Sequence, residues 1–106
     1  MMKEVNNESE YKMALAMNQM VLIDFYASWC GPCKGLAPKL EQLAKKYPKV
    51  AFIKLNVDNQ DLSRIVGMHN ITAMPTTILF KGGMKKETII GADIIKIESA
   101  INKHIS

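Results

Sequence analysis

The feature that most narrows the fold is the abrupt junction after Ala27. The apolar run Val21-Leu22-Ile23-Asp24-Phe25-Tyr26-Ala27, rich in strand formers, gives way almost at once to Trp29-Cys30-Gly31-Pro32-Cys33. Beyond that, Leu36, Leu40, Leu43, Ala44 and Tyr47 recur at the spacing of one helix face, with Pro48 as a stop. A buried strand therefore runs nearly straight into a helix, and both cysteines of the chain lie at the helix's opening.

That position dictates the chemistry. A sulfur at the start of a helix sits over backbone N–H groups that have no intrahelical partner and at the positive end of the peptide dipoles, which favours thiolate over thiol. Cys30 is the expected nucleophile. Pro32 suits the first turn, because its missing N–H would bond nothing there. Gly31 relieves crowding where a partner chain must reach the sulfur. Two intervening residues bring Cys33 round toward Cys30, within reach of a closable disulfide, so the pair can cycle by thiolate attack through a mixed disulfide. Asp24 is the other informative residue. A carboxylate in a strand of Val, Leu, Ile and Phe is costly to bury charged, so a raised pKa is expected. The competing reading has Asp24 face solvent or pair with Lys54.

The remaining pattern alternates strands and helices. Asn7-Glu8-Ser9-Glu10 reads as a capping box before a helix to about Asn18, with Tyr11, Ala14 and Leu15 on one face and a short edge strand ahead of it. Pro38 should bend the helix that follows the cysteines. Val50 to Val57 is a second strand, with Lys54 its unexpected member. Asp58 or Asn59 caps a short helix holding Leu62, Ile65 and Val66, which Gly67 is placed to end. His69 falls in an irregular stretch from Met68 to Pro75. Thr76 to Phe80 gives a third strand, Gly82-Gly83 a two-residue hairpin turn, and Lys86 to Ile90 the returning strand, its lysines discouraging edge pairing. Asp93 caps a last helix that turns Ile94, Ile97, Ile101 and Ile105 inward, with His104 complementing its dipole. This order implies parallel pairing first and antiparallel pairing last, in a mixed sheet with helices on both faces.

Several function classes are disfavoured. The 106 residues are read as one domain, 1–106. A net charge of +4 invites a nucleic-acid reading, but the lysines are scattered and never interleaved with aromatics, so a solvated surface is the expectation. No apolar window of about 18 residues exists, and Met1 to Asn7 lacks a signal-peptide core, which points to no membrane association and a cytoplasmic location. Two cysteines cannot supply a closed zinc site, which needs four ligands, and only His69 and His104 remain to help. The eight methionines are expected to fill core gaps, and no metal is expected. A monomer is the default.

The segment from Ile23 to Lys34, centred on Trp-Cys-Gly-Pro-Cys, resembles the active-site segment of the thioredoxin family, and Met74-Pro75-Thr76, Gly83 and Gly91 recur at the distances that family leads one to expect. The resemblance spans essentially the whole chain. It implies the thioredoxin fold, an α/β architecture with a central mixed sheet of four to five strands flanked by four helices. It implies general protein-disulfide reductase activity that contributes to cell redox homeostasis, with no bound cofactor. NADPH would reduce the Cys30–Cys33 disulfide indirectly, through a flavin-containing thioredoxin reductase. The implied clients are disulfide-containing proteins such as peroxiredoxins. Cys30 would attack, Cys33 would resolve, and Asp24 would take the proton from Cys33. Gly31, Pro32 and Lys54 are expected to tune the pair. Trp29 would form an exposed apolar lip, Pro75 would be cis beside the disulfide, and the backbone of Met74 would pair with the client. Gly83 and Gly91 are candidates for the same docking surface. Tyr26, Ser28 and Thr77 depart from the commonest pattern, Thr77 standing where an apolar residue is usual. Two other readings are set against this one: a zinc site, and a redox-fold subunit that serves a partner without using its sulfurs.

Overall fold

Strand β2, Met20–Tyr26, is the axis of the molecule: six of its seven residues are buried, and it has a strand on each side. The computed structural model describes residues 2–106. In chain order β1 (Lys3–Glu4) leads to α1 (Glu8–Met17), β2, α2 (Gly31–Lys46) and β3 (Val50–Asn56). A 3-10 turn, Gln60–Leu62, runs into α3 (Ser63–Met68), then β4 (Thr76–Lys81), β5 (Met84–Ile90) and α4 (Ile94–His104). The strands lie in the order β1-β3-β2-β4-β5. β1 and β2 pair with β3 in parallel, whereas β4 pairs antiparallel with β2 and with β5, so the expected mixed sheet has five strands and four helices.

Alternation along β2 divides the core. Met20 and Leu22 face α2 and α4, where they join Leu36, Leu40, Leu43, Phe52, Leu79, Ile97 and Ile101. Val21, Ile23 and Phe25 face α1 and α3, with Tyr11, Ile53, Leu55, Leu62, Ile65, Ile78 and Phe80. Burying a large aliphatic side chain contributes about 1.5–3 kcal/mol, so Leu36, Leu40 and Leu43 of α2 and Ile97 and Ile101 of α4 hold those helices firmly to the sheet. The helix ends follow the expected caps. Asn7 accepts the Glu10 N–H at 2.9 Å, and Glu10 reaches back to the Asn6 N–H at 2.8 Å. Asp93 accepts the Lys96 N–H at 3.1 Å. Gly82 and Gly83, with φ of 62° and 78°, make the two-residue turn between Lys81 and Met84.

Pro38 lies inside α2, as expected, and the helix continues to Lys46. Three local expectations are corrected. β5 begins at Met84, two residues before the expected Lys86, because the Gly-Gly turn pairs Lys81 directly with Met84. Gly67 does not end α3. The end is a Schellman motif in which Asn70, at φ 55°, takes the left-handed position: its N–H donates to the Gly67 carbonyl, and the Ile71 N–H donates to the Val66 carbonyl. The methionines divide: Met2 and Met20 are buried, but Met13, Met17, Met68 and Met84 are exposed.

The left-handed conformation at Asn70 makes a test of this helix end. Asn70→Gly should leave stability within about 0.5 kcal/mol of the parent, whereas Asn70→Val should cost about 1–2 kcal/mol in urea unfolding. Equal midpoints for the two variants would contradict the assigned geometry.

Candidate active site

β2 ends at Tyr26, and the chain turns through Ala27, whose carbonyl accepts the Cys30 N–H at 3.2 Å. Cys30 keeps an extended backbone (φ −89°, ψ 112°) and caps α2. Its Sγ accepts the Cys33 N–H at 3.2 Å. Gly31 and Pro32 occupy the first helical positions, and no acidic residue stands in that turn to offset the positive end of the helix. Negative charge on the Cys30 sulfur is therefore stabilised when the pair is reduced. Cys30 and Cys33 are joined as a disulfide with Cα atoms 5.3 Å apart.

The rim of the site is apolar and exposed. Both cysteines are 4% exposed, in a small cluster with Ala27 and the partly buried Tyr26, Val57 and Met74. Trp29, next to Cys30, is 67% exposed, and its indole N–H donates to Asp58 Oδ2 at 2.9 Å. The Met74–Pro75 peptide is cis. The Pro75 carbonyl accepts the Gly91 N–H at 2.8 Å, which places Gly91 and the exposed Ile90 beside this segment. Thr76 Oγ1 donates to the Ala73 carbonyl at 2.6 Å and tightens the turn before β4.

Asp24 lies beneath α2. It alternates with Leu22 on the face that packs α2, the helix whose buried residues include Cys33. At 3% exposure it does not face solvent, and burial raises its carboxyl pKa to about 7, opposed by the Lys54 ammonium and reinforced by Glu4. Lys54 is opposite Asp24 in register, but its ion pair is with Glu4 at 3.9 Å. The Tyr26 hydroxyl donates to Glu4 at 2.8 and 3.0 Å. Burial, then that bond, pushes the Tyr26 hydroxyl up to about 12.

The structure thus brings together Asp24, Trp29, Cys30, Gly31, Pro32, Cys33, Met74, Pro75 and Gly91, with Lys54 one strand away. Gly83 is not among them. Its turn is at the opposite end of the sheet, where the Gly82 N–H donates to the Gln19 carbonyl just before β2 begins. The length of β2, about 20 Å at 3.3 Å per residue, separates it from Cys30. The hairpin turn accounts for that glycine. The histidines are occupied elsewhere: His69 Nε2 bonds the Tyr11 hydroxyl at 2.7 Å, and His104 Nε2 bonds Glu87 at 2.9 Å. The sequence reading missed Asp58 as the partner of Trp29 and Glu4 as the partner of Tyr26. Neither pairing has a local signal, since the partners are 29 and 22 residues apart.

Comparison with known proteins agrees with this geometry. A family model described as Thioredoxin matches residues 2–103. Thioredoxin-1 of Schizosaccharomyces pombe is 42% identical over 105 residues, which is 99% of this chain and 100% of that protein. The oxidised mitochondrial thioredoxin 3 of Saccharomyces cerevisiae superposes with a TM-score of 0.89 at 38% identity, covering 96% of this chain and 94% of its own. A third match, also at 0.89 and with 37% identity over 96% of this chain and 94% of its own, comes from work on thiol resolution in a yeast mitochondrial 1-Cys peroxiredoxin by the glutathione and thioredoxin systems.

The Asp24 environment makes stability depend on pH. With a native pKa of about 7 and an unfolded value of about 3.9, the native state holds a proton that the unfolded chain has released over that interval. Stability should therefore fall as pH rises from about 4 to about 7, then level off. Asp24→Asn should remove most of this slope and gain roughly 2–4 kcal/mol at pH 8, read from urea unfolding at several pH values. An unchanged slope would contradict the buried carboxyl.

Proposed function

The chain belongs to the thioredoxin family and is a thiol–disulfide oxidoreductase with protein-disulfide reductase activity, and we propose that Cys30 attacks, Cys33 resolves and Asp24 accepts the proton between the two steps. The observation that carries the assignment is the Cys33 N–H aimed at Cys30 Sγ, which makes Cys30 the sulfur at the helix cap. The Cys30 thiolate attacks one sulfur of a client disulfide. The client's S–S bond breaks, its other sulfur leaves as a thiolate that takes up a proton, and a mixed disulfide with Cys30 remains. Cys33 then gives its proton to the Asp24 carboxylate and attacks Cys30 Sγ. The Cys30–Cys33 bond forms as the client's second sulfur leaves as a thiolate that takes up a proton, and Asp24 releases its own proton to return to the carboxylate. The client has gained two electrons and two protons, and the protein is left oxidised.

A pKa of about 7 suits Asp24 to this task, because near neutral pH both its charged and its protonated forms are well populated. Lys54 keeps that value from rising further. Gly31 and Pro32 tune the pair by leaving the first turn short of side-chain bulk and of one N–H. Trp29, the Met74 backbone, Pro75 and Gly91 form the surface that receives an extended client segment.

The chain acts as one domain and as a monomer, without nucleic acid, in the cytoplasm. Among the described residues no helix is long and apolar enough to cross a membrane. NADPH recharges it through a thioredoxin reductase, with no cofactor bound to the chain itself. Peroxiredoxins are among its clients, a reading supported by the peroxiredoxin work to which one structural relative belongs.

Insulin reduction with NADPH and a thioredoxin reductase tests the assignment. Cys30→Ser and Cys33→Ser should both abolish turnover, but only Cys33→Ser should accumulate covalent mixed disulfides on a nonreducing gel. Trapping by Cys30→Ser instead would reverse the roles. Asp24→Asn should slow turnover at pH 7 by about tenfold to a hundredfold and flatten its pH dependence.

A further inference from the structure

The register of the sheet sets a polar row across its centre, on the face beneath α2: Glu4, Lys54, Asp24 and Thr77 are successive neighbours on β1, β3, β2 and β4, with Ile89 of β5 completing it. Two members have explained surroundings. Glu4 meets Lys54 and the Tyr26 hydroxyl, and Lys54 faces the Asp24 charge. Thr77 does not. It is 0% exposed, directly opposite Asp24 on the antiparallel partner strand, and its Oγ1 has no hydrogen-bond partner in the protein. One other buried side-chain atom among the described residues shares that condition, and it is Asp24 Oδ1.

The two unpartnered oxygens belong to directly paired residues, in a core where buried polar groups are nearly always bonded. Directly opposed residues hold their Cβ atoms about 4.5–5.5 Å apart on the same face, a separation at which one water can bridge a hydroxyl and a carboxyl. A valine would fill the Thr77 position with the same shape and no polar atom. The residue directly opposite that hydroxyl across the ladder is Asp24.

We propose that Thr77 is a positioning residue for Asp24, its hydroxyl and Asp24 Oδ1 holding one buried water that supports the carboxylate and sets how readily it takes the Cys33 proton. The inference rests on the proton-acceptor role given to Asp24 above. The bookkeeping is simple: the proton moves from Cys33 Sγ to the carboxylate, and the Thr77 hydroxyl keeps its own proton throughout, donating a hydrogen bond to the water. The charged and titratable groups that act on or beside Asp24 are Lys54 from β3, Glu4 from β1 beyond it and Tyr26 from its own strand, with α2 and its buried Cys33 on the covering side; the contributions of β4 and β5 to this row, Thr77 and Ile89, carry no charge. Of these, Thr77 alone can be stripped of its polar atom without altering a charge, a sulfur or an aromatic ring.

The test is an NMR titration of the Asp24 carboxyl carbon in the full-length oxidised protein, paired with the pH profile of insulin reduction, for the parent, Thr77→Val, Thr77→Ala and Thr77→Ser. Loss of the hydroxyl in Thr77→Val and Thr77→Ala should raise the Asp24 midpoint by about one unit and move the reduction profile to higher pH by a similar amount. Thr77→Ser should titrate as the parent does. An Asp24 midpoint unmoved in Thr77→Val and Thr77→Ala would overturn the pairing, and a moved midpoint with an unmoved profile would overturn the positioning role. Failure of the underlying reading looks different: Asp24→Asn would then leave the profile unchanged, while the carboxyl titration would still report on Thr77.

Discussion

The active end of the molecule depends on a sulfur taking the place that an oxygen usually holds at the start of a helix. Side-chain oxygens of Ser, Thr, Asp and Asn are the usual acceptors for the first unpaired N–H groups. Here Cys30 Sγ accepts the Cys33 N–H at 3.2 Å. A neutral sulfur is a weak acceptor and a thiolate a much better one, so the cap strengthens as charge develops on the attacking atom. Pro32 leaves one fewer N–H in that turn to be satisfied. The sulfur is also held from behind. Leu36, Leu40 and Leu43 bury the length of α2 against the sheet, so the helix cannot swing away to relieve its own cap.

That anchoring brings α2 down over Asp24, where the fold's requirements and those of the chemistry oppose each other. A leucine beside Leu22 would suit the core and would add stability, since neither its burial nor its contacts would carry an electrostatic cost. The carboxyl costs stability because burial lifts its pKa to about 7. Lys54 and Glu4 act on it from one side with opposite signs, and Thr77 stands on the other without charge. The site thus holds a base of near-neutral affinity in a strand that would otherwise be wholly apolar. Such a group can be kept only where the surrounding packing has stability to spare, and β2, flanked by strands and covered on both faces, is such a place.

Much of this was legible from residues alone because it is local. The strand-to-helix junction, the Asn7, Cys30 and Asp93 caps and the Gly82-Gly83 turn all follow from patterns within a few residues of one another, and each stands close to where the spacing puts it. The raised affinity of Asp24 for a proton was legible as well, since the strand around it is otherwise apolar, and its burial decides against the solvent-facing alternative. What was not legible needs the sheet register. Nothing near Trp29 announces Asp58, and nothing near Thr77 announces Asp24, 53 positions earlier but adjacent across the ladder. Gly83 shows the opposite error: its spacing from Cys30 fits the family pattern, yet the hairpin carries it to the far end of the strands. Gly67 misled for a different reason, because Asn70 can adopt the left-handed conformation that glycine usually supplies at a helix end.

The irregular stretch between α3 and β4 illustrates how a segment without repeating structure can still present a fixed backbone. Its last residues carry the cis Met74–Pro75 peptide, and they are tied down by the Thr76 hydroxyl to Ala73 and by the Gly91 N–H to Pro75. Its first residues are tied by an aromatic cluster on the sheet. His69 is inserted among Phe25, Phe80 and Tyr11, and burial together with the Lys85 charge lowers its pKa, which favours the neutral ring as partner of the Tyr11 hydroxyl. The turn at Asn70 follows immediately, closed by two backbone bonds and by Val66 and Ile71 packing into the same cluster. A loop held at both ends against one sheet has little room to shift along it. The backbone at Met74 therefore inherits the rigidity of the core, although none of its own residues belongs to a strand or a helix.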